Sequence, residues 1–211
     1  MPKWPPWISV ASCPFPQSFP WEPLRFVAWC LGLFSLGGGS LAQETTISLE
    51  KYREASEEKW AKAFADFDQR NAEESHPPTS VLFVGSSSIR RWNAIAQDMA
   101  PYHPIQRGFG GSRWSDLAVH ADQLITPHQF QAVVCFVAND IAGKPEDKEP
   151  QEVRELVSYF VRRLRAHDAT APIFLIPVTP TPKRWKVWPT ADQANTLLRA
   201  LCQDDDGLHF I

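Results

Sequence analysis

From residue 49 onward, apolar residues follow two alternating periods. Some segments repeat every three or four positions, as on one face of a helix, and others are short unbroken runs, as in a buried strand. Residues 49–70 place Leu49, Tyr52, Ala55, Trp60, Ala63, Phe64 and Phe67 on such a repeat with charges between them, which predicts an amphipathic helix. Residues 72–79 are polar, contain Pro77 and Pro78, and read as a linker. The patterns then predict a strand at 80–84, a helix at 89–99, a short strand at 104–107 and a helix at 114–125. Residues 132–138 form a continuous apolar run, as expected of a central parallel strand. A helix at 151–167, a strand at 172–177, a helix at 190–202 and the start of a fifth strand at 207–211 complete the pattern. Regular alternation of strand and helix predicts an α/β fold: a doubly wound parallel sheet with right-handed crossovers, flavodoxin-like order 2-1-3-4-5 and flanking helices. This single domain is expected over residues 80–211, preceded by the helix and linker of 43–79.

The front of the chain breaks these periods. Residues 1–23 are crowded with Pro and Trp and carry no periodicity, so they stand outside the fold. Arg25 is followed by a short apolar core, three glycines and Ser40-Leu41-Ala42, the layout of a signal peptide cleaved after Ala42. An uncleaved anchor or a buried helix is the alternative, but the run is short and broken by glycines. Residues 1–42 are therefore expected to be leader and signal peptide, with a natural start near Leu24, and the protein secreted or periplasmic. No stable membrane span is expected after cleavage. The formal net charge of −3 advertises no polyanion, so no nucleic-acid partner is expected. Only Cys135 and Cys202 lie beyond residue 42, and both read as buried thiols rather than a disulfide framework.

Three polar features fall at strand ends. Gly85-Ser86-Ser87 follows the first strand and opens a helical pattern. A serine there sits at a strand's carboxyl end and near the positive end of a helix dipole, where developing negative charge is stabilised. Such a turn is also common without any function, and no second glycine completes Gly-x-Ser-x-Gly. Arg107-Gly108-Phe109-Gly110-Gly111-Ser112 follows the second strand; its glycines let the backbone turn N–H groups toward a phosphate or an oxyanion. It is not a Walker loop, because no Gly-Lys-Ser/Thr follows. Asn139-Asp140 ends the third strand. In a 2-1-3-4-5 sheet all three converge above strands 1 and 3, which favours an enzyme over a plain turn.

These blocks resemble the SGNH hydrolases, also called the GDSL esterase/lipase family, in their secreted bacterial branch. Residues 83–90 resemble the first block, with Ser87 on the nucleophile. Residues 107–112 resemble the second, with Gly111 on the glycine whose N–H serves the oxyanion hole. Val137-Ala138-Asn139-Asp140 resembles the third, with Asn139 on the side-chain donor and Val137 where the block has glycine. The stretch 179–189, with Arg184, Trp185 and Trp188, also resembles this branch. The resemblance implies serine ester hydrolysis through an acyl-enzyme, with catalytic residues Ser87, Gly111 and Asn139 and no metal or organic cofactor. It implies a small-molecule or carbohydrate ester as substrate. Trp185 and Trp188 either line a substrate mouth or pack the loop onto the sheet.

The family's serine is activated by a histidine in an Asp-x-x-His block. Asp206-Gly207-Leu208-His209 matches by letter. After a helix the chain stands at the amino edge of the sheet, and crossing to the carboxyl edge takes roughly 17–20 Å of strand. From Cys202 to Asp206 the chain extends at most roughly 14 Å. Residues 207–211 therefore read as strand five, with Asp206 and His209 a decoy and the real block expected beyond Ile211; a helix ending near Arg199 would weaken this. His76, His103, His120, His128 and His167 read as surface or structural residues. The alternative to an esterase is a catalytically silent or truncated SGNH-like binding domain.

Overall fold

The computed structural model describes residues 47–211, which lie within one compact unit. The expected leader and signal peptide, residues 1–42, fall outside the described residues. Helix α1 (Glu50–Glu73) is rich in Glu, Lys and Ala and ends where Pro77 and Pro78 approach, since proline has no N–H to continue the ladder. Its inner face buries Phe64 and Phe67, which meet Phe109 edge-to-face with ring centroids 5.3 and 6.3 Å away.

Five strands form one parallel sheet: β1 (Val81–Gly85), β2 (Pro104–Gly108), β3 (Ala132–Phe136), β4 (Ile173–Leu175) and β5 (Leu208–Phe210), in the order β2-β1-β3-β4-β5. This is the predicted fold class and order. All five residues of β1 are buried. Gly85 pairs in register with Gly108 on one side and Phe136 on the other, so three strands end level.

The remaining helices are α2 (Ser87–Arg90), α3 (Ile95–Asp98), α4 (Trp114–Val119), α5 (Ala121–Ile125), α6 (Pro150–His167) and α7 (Trp188–Leu201). The main core joins α1, α4, α5, α6 and α7 to one sheet face through residues such as Leu82, Val84, Cys135, Leu156, Phe160, Ile173 and Leu198. On the other face Val81 and Phe83 pack with Ile89 and Ile95 of α2 and α3, and Val134, Phe136, Phe174 and His209 stay half-buried.

Two predicted helices are each divided. Residues 89–99 break around Trp92, whose ring packs edge-on to Phe83 at 5.8 Å and whose Nε1 donates to Asp98 at 2.6 Å. Residues 114–125 break at His120 (φ −97°, ψ 19°), whose ring stacks on Phe64 at 3.9 Å. In both places a tertiary aromatic contact outweighs continued helix hydrogen bonding. The fourth strand stops at Leu175, short of the predicted 177, because Pro177 offers no N–H. Both thiols beyond residue 42 are free, Cys135 buried and Cys202 only half-buried.

Candidate active site

Ser87 is the first residue of α2, half-buried between buried Ser86 and exposed Ser88. Its position depends on two glycines. Gly85 has φ +149°, and a Cβ there would stand 2.1 Å from the Phe136 carbonyl oxygen; that same oxygen accepts the Ser86 N–H at 3.0 Å. A Cβ at Gly108 would stand 2.5 Å from the Arg90 backbone nitrogen. Bare backbone on β1 and β2 thus lets α2 start directly over the strand ends.

The loop after β2 is tied to the same point. Phe109 N–H donates to the Gly85 carbonyl at 2.9 Å and Ser112 Oγ to the same oxygen at 3.3 Å. Phe109 is buried against α1, which anchors the loop from below. Gly111 is exposed with φ +93°, and its N–H finds no acceptor among the described residues.

Asn139 closes the arrangement from β3. Its Nδ2 donates to the Ser112 carbonyl at 3.0 Å, and its Oδ1 accepts from Arg184 Nη2 at 3.1 Å. Arg184 Nη1 donates to the Ala138 carbonyl. Val137, in the place of the block's glycine, is buried in the main core. Asp140 is buried and accepts the Trp114 N–H on both carboxylate oxygens at 3.1 Å, with Lys148 Nζ 3.6 Å away. Burial pushes the Asp140 carboxyl up to about 6, against the opposing pull of Lys148. Ser87, Gly111 and Asn139 are therefore gathered at one end of β1 and β3 through bonds shared by Gly85, Ser112 and Asn139. Sequence reading assigned no role to Ser112, Arg184 or Asp140. The first two act through neighbours remote in sequence, and Asp140 caps a helix from another strand's end.

Asp206 and His209 are not brought there. His209 lies in β5, paired with Phe174 and stacked on its ring at 5.0 Å. Register carries its row through Phe174 and Val134 to Phe83, four residues before Ser87. Three strand spacings, about 14 Å, separate β5 from β1. His76, His103, His128 and His167 each precede a strand, at the opposite edge of the sheet, and His120 is stacked on α1. Trp188 packs against the main core, whereas Trp185 is 64% exposed.

No protein-family model matches the sequence, nor does any curated protein. Solved structures do. A candidate acylhydrolase from Bacteroides fragilis matches with TM-score 0.58 at 20% identity, covering 70% of this chain and 74% of its own. A GDSL-like lipase from Bacteroides thetaiotaomicron gives 0.55 at 16% identity over 70% and 78%. A catalytic mutant of an acetylxylan esterase from Geobacillus stearothermophilus gives 0.52 at 13% identity over 65% and 77%. The five-stranded parallel sheet with its flanking helices is the fold of the SGNH hydrolases.

Proposed function

We propose that residues 47–211 form a serine ester hydrolase domain of SGNH type, acting on acyl esters and, by analogy with the acetylxylan esterase, on O-acetylated carbohydrate. One observation carries this reading: Asn139 donates to Ser112, and Ser112 to Gly85, so the serine turn, the glycine loop and the third block share one hydrogen-bonded unit. In the proposed reaction Ser87 Oγ gives its proton to water as it bonds to the acyl carbonyl carbon, and the carbonyl π electrons move onto the carbonyl oxygen. Gly111 N–H and Asn139 Nδ2 donate to that oxyanion, and losing one such donor typically costs roughly 10²–10³ in rate. Collapse breaks the bond to the alkoxide, which takes a proton from water and leaves as the alcohol; water then adds to the acyl carbon, the bond to Ser87 Oγ breaks, and Oγ regains a proton as the acid leaves.

No histidine among the described residues stands at the carboxyl edge beside Ser87. A serine without a base is a weak nucleophile, although an oxyanion hole and binding alone can retain roughly 10³–10⁴ over water. Hydrolysis of p-nitrophenyl acetate is therefore expected at that residual level. Ser87→Ala should lower it measurably, because the part that runs through the Ser87 acyl-enzyme is lost, and Ser88→Ala should leave most of it; equal loss in both variants refutes Ser87 as nucleophile. The second reading, an SGNH-like domain that binds without hydrolysing, is favoured by the position of His209 in β5, and turnover indistinguishable from Ser87→Ala supports it. Export is part of the proposal. Arg25, the apolar core and Ser40-Leu41-Ala42 support a mature amino terminus at Gln43, which amino-terminal sequencing of exported protein checks.

A further inference from the structure

We propose that Arg184 is a positioning residue that locks the Asn139 amide in its donating orientation; the inference rests on the esterase reading above. The guanidinium is a rigid fork with donors only. One prong donates to the Ala138 carbonyl and the other to Asn139 Oδ1 at 3.1 Å, so a single side chain grips the main chain before the asparagine and the asparagine itself. On the opposite side, Nδ2 donates to the Ser112 carbonyl, a pure acceptor, at 3.0 Å. An amide between a pure donor and a pure acceptor has one satisfied orientation, since the flipped form sets N–H against N–H and oxygen against oxygen. One Nδ2 hydrogen is used by Ser112. The other has no partner among the described residues and remains for an oxyanion.

Arg184 reaches this point from another part of the fold. It lies in the 3₁₀ segment Pro182–Val187 between β4 and α7, whose first turn is closed by Arg184 N–H donating to the Thr181 carbonyl at 3.0 Å. The side chain is half-buried, so the bonds are partly shielded from water, and lysine, whose three donors sit on one nitrogen, lacks the planar fork that spaces two donors onto these two acceptors.

Two measurements test the clamp. In the first, Ser87-dependent hydrolysis of p-nitrophenyl acetate is compared across Arg184→Ala, Arg184→Lys, Asn139→Ala and the double variant Arg184→Ala/Asn139→Ala. Arg184→Ala is expected to lower kcat about 10–100-fold with little change in KM, and Arg184→Lys to recover only part of the loss. In the Asn139→Ala background, Arg184→Ala is expected to add less than about twofold, because the residue it acts through is already gone. Losses that multiply overturn the proposal. In the second, the Asn139 side-chain amide resonance, assigned by its disappearance in Asn139→Asp, is followed by hydrogen exchange in the intact protein. Exchange about tenfold faster in a folded Arg184→Ala variant supports the clamp, and unchanged exchange overturns it. A parent without Ser87-dependent turnover sinks the esterase reading, and the exchange measurement still decides the clamp.

Discussion

At the scale of single residues, the glycines of the two loops do different work. Gly85 has φ +149° and a Cβ would meet a backbone carbonyl at 2.1 Å, whereas Gly111, at φ +93°, faces open space. Gly85→Ala should therefore cost more than about 3 kcal/mol, through both strain and a backbone clash that no side chain can relieve. Gly111→Ala should cost about 1–2 kcal/mol from backbone strain alone and leave its N–H in place. Urea unfolding of both variants checks the order; equal costs would mean that the Phe136 contact relaxes freely. The glycine-rich loop at 108–111 was legible in sequence because three glycines stand close together. The demand on Gly85 was not, since the carbonyl that excludes a Cβ belongs to β3, fifty-one positions further along.

Among the elements, all five strands were readable in the sequence, the second without an apolar run, but helix continuity was not. Both divided helices break where an aromatic ring leaves the helical path for a partner outside the helix, Trp92 on Phe83 in the preceding strand and His120 on Phe64 in α1. Strand β5 carries the sharper lesson, because Asp206-Gly207-Leu208-His209 spells a catalytic block while its last two residues pair in the sheet. His209→Ala should lower stability by about 1 kcal/mol through the lost stack on Phe174 and leave Ser87-dependent turnover per folded molecule unchanged. Thermal unfolding and rates normalised to folded protein check this. A large rate loss in a well-folded His209→Ala variant would make His209 the base and refute the strand reading.

The molecule as a whole should respond to acid through buried groups whose contributions oppose one another. Burial, with Arg107 next, pushes buried His128 down to about 4 from 6.5, so acidification through that window favours the unfolded chain, which takes the proton first. Asp140 moves the other way, up from 3.8 to about 6, so the folded state takes its proton first and acidification from 6 to 3.8 favours the fold. Glu74 is pushed up by burial, but hydrogen bonds from Arg70, Arg107 and His76 outweigh this and hold it at about 2, so its contribution is present above 4.5 and lost toward 2. Stability should thus fall slightly from pH 6.5 to 6, stay nearly level to 4.5 and fall below that as Glu74 is protonated. Asp140→Asn removes the opposing contribution and should steepen the fall between pH 6 and 4; urea unfolding across pH reads the slope, and an unchanged slope would show that Asp140 titrates normally. By itself the sequence determined the α/β class and the strand ends that carry Ser87, Gly111 and Asn139, because hydrophobic period is a local property; the order 2-1-3-4-5 was the usual arrangement for five such strands, and the structure has it. Only the tertiary structure decided that Ser112 joins the loops, that Arg184 grips Asn139 and that His209 stacks on Phe174. Those contacts are hydrogen bonds and ring stacks between segments that no period along the chain brings together.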